Sequence, residues 1–236
     1  DPELSRGLGD VYKRQNLFFV ISRNHLNNTA LKFLDYADEN SQMILDYKSE
    51  EIENKSRIEY NFLKNNYSFN IGVNLEDANY TNNTTQLFTV GDSIITGINN
   101  SNLQFLKYGL FVQIGKTYFA NTLSTSFGLR IDGNSFTEST NSTNLSPRLS
   151  LAYNINSKTS INTNFGRFHQ LPSYTILGFE NNGNYLNKDA AYISCDHAVL
   201  GIEYNPSSYS KITLESFYKP FRVLLESFRI LLESFI

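Results

Sequence analysis

Three histidines and one cysteine are the residues of this sequence best suited to catalytic or metal chemistry. His25, His169 and His197 fall in different segments, and no two have the i,i+4 spacing that places two metal ligands on one helix face. Asp196 and His197 are adjacent, so in a strand their side chains would point to opposite faces. Cys195 is the only cysteine, which excludes an intrachain disulfide and a thiolate metal cluster. We therefore predict no catalytic residue, no metal site, no cofactor and no enzymatic activity.

A second group of candidates lies where an alternating segment runs into a long polar stretch. Binding residues concentrate in loops carried by a rigid scaffold. We therefore predict that the segment 167–174 contacts a ligand through Arg167, His169, Gln170 and Tyr174, with a structural role for the segment as the alternative. Arg167 is two residues from the apolar Phe165, so in a strand the two side chains would share one face. The alternative is therefore that Arg167 lies on the apolar face, at an outer rim near lipid phosphates.

The element that must carry these residues is a sheet, because apolar and polar residues alternate through the middle of the chain. From Leu123 to Asp132 the odd positions are Leu, Thr, Phe, Leu and Ile, whereas the even positions are Ser, Ser, Gly, Arg and Asp. The pattern returns at 148–155 and 160–165. Successive side chains of a strand point to opposite sides, so each segment predicts a strand with one apolar and one polar face.

Composition sets the limits of the remaining possibilities. The 236 residues are enough for one sizeable all-β domain or two small ones. With 18% charged residues and a net charge of −3, the sequence predicts no nucleic-acid partner. No run approaches 18 consecutive apolar residues, so we predict no transmembrane helix, although barrel strands carry a much weaker signal.

The lengths of the connections between predicted strands favour one architecture. Short turns are predicted near 63–66, 119–121, 156–158 and 206–209, and long loops near 26–42, 77–102, 133–146 and 169–190. Short and long connections therefore alternate over about nine strands, as they do in an up-and-down outer-membrane barrel. Tyr and Phe cluster beside the short turns, which is typical of an interfacial aromatic girdle, although strand propensity alone also enriches them.

In such a barrel the polar face would enclose the lumen. We predict seven lumen-facing charged residues: Lys55, Arg57, Glu59, Arg130, Arg148, Glu203 and Glu215. Cross-strand pairing is the structural role that we favour for them over ligand contact.

Several motifs resemble the C-terminal barrel half of TonB-dependent outer-membrane receptors. They are SFGLRIDG at 126–133, LSPRLSLAY at 145–153, GRFHQLPSY at 166–174, LGIEY at 200–204 and ITLESFYK at 212–219. The resemblance is good over roughly 108–219 and looser before it. It implies a 22-stranded barrel in the outer membrane, plugged by an N-terminal domain, that imports a scarce ligand with energy from an inner-membrane TonB complex.

This sequence departs from the family pattern, since it contains no plug domain, no TonB-box segment and too few strands to close such a barrel. We therefore predict an all-β fragment: an antiparallel up-and-down transmembrane barrel segment of about nine strands, open and curved rather than closed. Its expected partners are outer-membrane lipid, the plug domain and, through the missing N-terminal part, the TonB complex. Whether a surface lipoprotein caps the intact receptor stays open. A passive porin-like barrel fragment and a soluble carbohydrate-binding β-sandwich are the alternatives.

The two ends of the chain are predicted not to belong to the barrel at 16–220. Residues 1–15 resemble a translated sequencing-adapter remnant and are predicted to be a non-native leader. The segment 221–236 carries a near-exact seven-residue repeat, RVLLESF at 222–228 and RILLESF at 229–235. Two heptads are too few for a coiled coil, so we predict an assembly duplication without function.

Overall fold

The computed structural model describes residues 15–34, 42–138, 144–181, 183–207 and 209–222, and these form an almost entirely β structure. The strands in chain order are β1 Gln15–Phe33, β2 Met43–Lys64, β3 Tyr67–Val90, β4 Ser93–Tyr118, β5 Leu123–Asn134, β6 Leu145–Asn154, β7 Thr159–Gln170, β8 Glu180–Asn181, β9 Asn184–Tyr185, β10 Ile193–Ser207, β11 Ser210–Tyr218 and β12 Phe221–Arg222. The one helix of these ranges, α1, is Tyr174–Leu177 and precedes β8. No helix among the described residues is long and apolar enough to cross a membrane.

Nine long strands form one antiparallel sheet in the order β1-β2-β3-β4-β5-β6-β7-β10-β11. Strands β8 and β9 form a separate small hairpin within the connection from β7 to β10. The short β12 pairs with β10 just beyond the point where β11 leaves it, so it continues the same edge. Strands β1 and β11 are the two ends of this strand order and do not pair with each other. The prediction of an open, curved antiparallel sheet of about nine strands is confirmed.

The short turns lie where the sequence predicts them. The two-residue turn Asn65-Asn66 has positive φ at both positions, 49° and 64°, as expected for the turn type that matches the twist of a β-hairpin. The turns between β4 and β5, β6 and β7, and β10 and β11 are also short, and they lie at the same end of the sheet.

The prediction of a long loop at 77–102 is wrong. Strands β3 and β4 continue through this region as a paired ladder up to Val90 and Ser93, joined by Gly91 and Asp92. The segment is rich in Thr and Asn on both faces, so it lacks the apolar alternation that marks a strand in sequence. The ladder nevertheless satisfies its backbone groups, which is sufficient to keep it extended. The loop predicted at 26–42 is likewise shorter, because β1 extends to Phe33.

The two faces of the sheet differ in chemistry, as the alternation predicts. The outer face exposes large apolar side chains, among them Ile71, Leu110, Phe127, Ile131 and Phe165. Aromatic residues gather near the short turns on this face, where the rings of Phe62 and Phe69 stack at 4.4 Å between centroids. The opposite face, here called the inner face, carries Gly, Ser, Asn and charged residues.

A small core lies on the inner face, near the end of the sheet with the long connections. It forms because the connection 171–192 folds back over β3 and β4. Its buried members are Ala78, Tyr80, Leu103, Phe105, Tyr174, Leu177 and Ala190. The connection is thereby fixed against the sheet instead of extending into solvent.

The terminal predictions mostly fall outside the described residues. The leader predicted at 1–15 is described only at Gln15, which begins β1, and the repetitive tail only at Phe221 and Arg222 in β12.

Candidate functional site

A cluster of four charged side chains lies on the inner face beside the core. Register places Lys55 of β2 opposite Glu76 of β3, and Glu76 opposite Lys107 of β4. Glu53, two residues before Lys55, therefore projects from the same face. Tyr174 of α1 covers the cluster on the side that faces away from the sheet, although it is 121 residues from Glu53 in sequence.

The cluster is neutral and closely paired. Lys55 Nζ lies 2.6 Å from Glu53 Oε2, and Lys107 Nζ lies 3.0 Å from Glu53 Oε1 and also contacts Glu76. Glu53 is only 7% exposed. A carboxylate this buried is tolerated because two ammonium groups and one hydroxyl satisfy it.

Tyr174 joins the connection 171–192 to this cluster. Its hydroxyl donates to Glu53 Oε1 at 2.5 Å and also contacts Lys107, whose ammonium lies 4.9 Å from the ring centroid. Burial, together with the hydrogen bond to the Glu53 carboxylate, raises the pKa of the Tyr174 hydroxyl well above its usual range. The phenol therefore stays neutral and acts as a hydrogen-bond donor, not as a base.

A cavity of about 410 Å³ opens next to this cluster, between the sheet and the connection 171–192. Its walls combine both charge signs with tyrosines, including Glu51, Glu76, Lys107, Arg130, Asp132, Tyr174 and Tyr192. Burial raises the pKa of Tyr192, whose hydroxyl accepts a hydrogen bond from Asn134 Nδ2 at 3.1 Å. A cavity of this size that mixes polar groups with aromatic surface is suited to binding a small polar ligand.

Three of the four residues predicted to contact a ligand line this cavity: His169, Gln170 and Tyr174. His169 lines the cavity although it occupies the same odd positions of β7 as Arg167, and it lies beyond the last residue pair of β6 and β7, Arg148 with Gly166. Its Nδ1 lies 3.0 Å from Ser146 Oγ, on the inner face.

Arg167 lies elsewhere. It is opposite Asp196 in the ladder between β7 and β10, on the outer face with Phe165, and it donates to Asp196 through Nε at 2.7 Å and through a terminal nitrogen at 3.0 Å. His197, the neighbour of Asp196, points instead to the inner face, where its ring packs against that of Phe168 at a tilt of 37°.

All seven charged residues predicted to face a lumen project from the inner face. Glu203 is opposite Ser160 and Glu215 is opposite Gly201, in register with the inner-face positions of β2, β5 and β6. Several form pairs along one strand, as Arg57 does with Glu59 and Arg130 with Asp132. Within the described ranges, no group of three or more His, Cys, Asp or Glu side chains could hold a metal ion.

The sequence interpretation missed Glu53, Glu76 and Lys107. The available signal was the odd or even position in the strand, since Glu53 shares that of Lys55. Glu76 and Lys107 lie just outside the loop predicted at 77–102, and this wrong prediction concealed the fact that both residues lie inside the long strands β3 and β4.

Comparisons with known proteins agree with this architecture. A family model described as TonB dependent receptor-like, beta-barrel matches residues 3–219. Among solved structures, the copper transporter OprC superposes with a TM-score of 0.63 at 12% identity, over 87% of this chain and 36% of that one. The ferric-catecholate import receptor Fiu from E. coli K12 gives a TM-score of 0.53 at 11% identity, over 90% and 39%.

A mutant of the ferric enterobactin receptor PfeA from Pseudomonas aeruginosa gives a TM-score of 0.50 at 12% identity, over 90% of this chain and 41% of that one. No curated protein matches the sequence. At these identities the structural likeness concerns the fold alone, and the chain spans between 36% and 41% of the length of these three proteins.

Proposed function

Because the chain belongs to the TonB-dependent receptor family and forms part of its β-barrel, we propose that the intact protein imports a scarce ligand across the outer membrane. The family consists of transport receptors, not enzymes, and its members lie in the outer membrane of Gram-negative bacteria. For this chain, the outer face would contact lipid and the inner face would enclose the lumen.

One observation carries the proposal: the outer face exposes many large apolar side chains, and the inner face behind it holds a polar cavity. Exposed Phe and Ile side chains are costly in water but favourable in hydrocarbon, whereas the inner-face charges need water or counter-charges. The arrangement therefore fits a sheet with lipid on one side and an aqueous passage on the other.

We propose that the 410 Å³ cavity contacts the ligand on its way into the barrel. The connection 171–192 would lie on the extracellular side, since short turns in such barrels are periplasmic and the longer connections are extracellular. His169 and Gln170 would contact the ligand, whereas Tyr174 would hold the connection in place. Arg167 would instead lie at the outer rim, paired with Asp196.

The partners of the intact protein would be outer-membrane lipid, a plug domain inside the barrel and the inner-membrane TonB complex. A surface lipoprotein is a weaker proposal, since no feature of the described residues favours one. The similar structures described above are a copper transporter, a ferric-catecholate import receptor and a ferric enterobactin receptor, so metal ions and metal chelates are the first ligands to test.

Deletion of the full-length gene in its host tests this function. Growth should fail when one metal is made limiting, and the intact gene should restore both growth and accumulation of that metal. Accumulation should stop when an uncoupler removes the proton-motive force, because the proposed transport is energised. Uptake that continues with the uncoupler would contradict the proposal and favour the passive porin-like alternative.

The soluble sandwich alternative requires two sheets with apolar faces packed together. The described residues form one large sheet and a two-stranded hairpin, and the apolar face of the large sheet is exposed. These features do not support the sandwich.

A further inference from the structure

A second, smaller cavity lies on the inner face, next to the first and closer to the short turns. It has a volume of about 150 Å³ and is lined by three arginines from three strands: Arg57 of β2, Arg130 of β5 and Arg148 of β6. Arg130 lines both cavities, so they adjoin at this residue. We call these three residues the arginine cluster.

The guanidinium groups of the cluster are held in place before any ligand arrives. Arg57 lies 4.7 Å from the ring centroid of Phe111, and Arg148 lies 4.5 Å from that of Phe168. Arg130 is fixed by Asp132, which accepts hydrogen bonds from its Nε at 2.8 and 2.9 Å. Such orientation reduces the entropy that the side chains would lose on binding a partner.

A glycine forms part of the wall of the small cavity. Gly128 is directly opposite Arg148 in the ladder between β5 and β6 and lines the cavity. A Cβ atom there would lie at ordinary van der Waals distances, 3.6 Å from the Val112 carbonyl oxygen, 3.8 Å from Gln113 Cγ and 3.9 Å from Arg148 Cβ. Because Gly128 has no side chain, the space beside Arg148 belongs to the cavity.

The cluster is one negative charge short. Arg57 pairs with Glu59 and Arg130 with Asp132, each carboxylate being two residues further along the same strand. The equivalent position for Arg148 is Ser150, which carries no charge. Among the residues that the structure describes, no carboxylate lies within 4 Å of the Arg148 guanidinium. Three cations and two anions thus leave a charge of +1.

We propose that the arginine cluster binds one oxyanion, a carboxylate or a phosphate, against Arg148. A planar guanidinium matches such a group with two parallel hydrogen bonds, and the added charge would neutralise the cluster. The oxyanion has two sources, the acid group of a ligand that has entered through the larger cavity or an acidic side chain from another part of the intact protein. The inference rests on the proposed function only in taking the inner face as lumenal.

Selenate is a suitable probe, because it is a small oxyanion whose selenium is located by anomalous diffraction. Crystals of the full-length receptor soaked in selenate should show a selenium peak within hydrogen-bonding distance of the Arg148 guanidinium. In solution, Arg148→Gln should weaken selenate binding measured by calorimetry at least about tenfold, the loss expected for one charge-assisted contact. Arg148→Lys keeps the positive charge but not the planar guanidinium with its two parallel hydrogen bonds, and should weaken selenate binding less than Arg148→Gln does.

Arg23→Gln is the matched control, since it makes the same chemical change on the outer face of β1 and should leave selenate binding unchanged. Heat-modifiable migration on a gel identifies any variant that fails to fold.

The diffraction experiment has two further outcomes. If a carboxylate of the receptor itself contacts Arg148 and no selenate binds there, the oxyanion site is supported and the oxyanion comes from the protein. An Arg148 that contacts neither selenate nor a carboxylate would overturn the proposal. A failure of metal uptake in cells would leave this diffraction result unaffected, so the two proposals fail separately.

Discussion

In the intact protein, Leu129→Arg and Ser126→Arg should behave very differently although the two positions are three residues apart on β5. Leu129 is opposite Val112 and Pro147 and projects from the outer face. Ser126 is opposite Gly115 and Ser150 and projects from the inner face, where its Oγ accepts a hydrogen bond from Gln113 Nε2 at 2.7 Å. Both changes introduce the same side chain, so the difference reports mainly the surroundings of the new guanidinium.

The free-energy cost of each substitution depends on the depth of the residue in the bilayer and on whether the new guanidinium stays hydrated. An arginine on the lipid face costs roughly 2–4 kcal/mol at the bilayer midplane and close to zero near the interfaces. Leu129 lies near the middle of β5, so most of this cost should apply. Ser126→Arg loses one hydrogen bond, worth about 1 kcal/mol, while its guanidinium stays hydrated on the inner face.

Outer-membrane yield and heat-modifiable migration on a gel report the folded fraction of each variant. We expect a strong loss of folded receptor for Leu129→Arg and little loss for Ser126→Arg. Equal tolerance at both positions, or a larger defect at Ser126, would mean that the two faces are assigned the wrong way round.

Three further predictions concern the connection 171–192 and the open edges of the sheet. Tyr174→Phe removes the hydroxyl that donates to Glu53, so hydrogen exchange of this connection should quicken about five- to thirty-fold, corresponding to about 1–2 kcal/mol, with global folding unchanged. Because the pKa of the Tyr174 hydroxyl is raised in the folded protein, the neutral phenol stabilises the connection fully below about pH 10, the ordinary tyrosine pKa. This stabilisation is lost as the pH rises further. Proteolysis of the connection should therefore accelerate above pH 10, and less so in Tyr174→Phe; an equal acceleration in both would contradict this role. Expressed alone, residues 1–236 should aggregate, because β1 and β11 leave edges unpaired; a monodisperse, detergent-free monomer would contradict the membrane assignment.

Much of the sheet is predictable from sequence because its signal is local. Period-two alternation on β5 places Phe127 on one face and Arg130 on the other without knowledge of any neighbour. The same parity argument places all seven predicted charged residues on one face, and it offers the outer-rim position of Arg167 as an alternative to ligand contact. Short turns such as Asn65-Asn66 are recognisable because these residue types tolerate positive φ.

The extended ends of β3 and β4 are not predictable in this way. Between Asp77 and Asn102, Asn, Thr and Ser occur on both faces, so no apolar period distinguishes the strand from a loop. What keeps the segment extended is a ladder with partners such as Asn82 and Ser101, which are distant in sequence and carry no local pattern.

The cavity is still less predictable, because it depends on a contact between Tyr174 and Glu53 across 121 residues. The sequence shows that Tyr174 follows a strand, but not that its connection folds inward over the sheet. The uncompensated charge of Arg148 likewise becomes visible only when the carboxylates of neighbouring strands have been placed.

We propose that the outer face of this sheet contacts lipid while the inner face contacts water. Spin labels placed singly at successive positions of β5 in the full-length protein, with Cys195 replaced by serine, measure this directly in membranes. Oxygen, which partitions into lipid, should relax the labels at Phe127, Leu129 and Ile131. A water-soluble nickel chelate should relax the labels at Ser126, Gly128 and Arg130. A two-residue period in this order is the predicted result, and equal or inverted accessibility along β5 would contradict this assignment of the two faces.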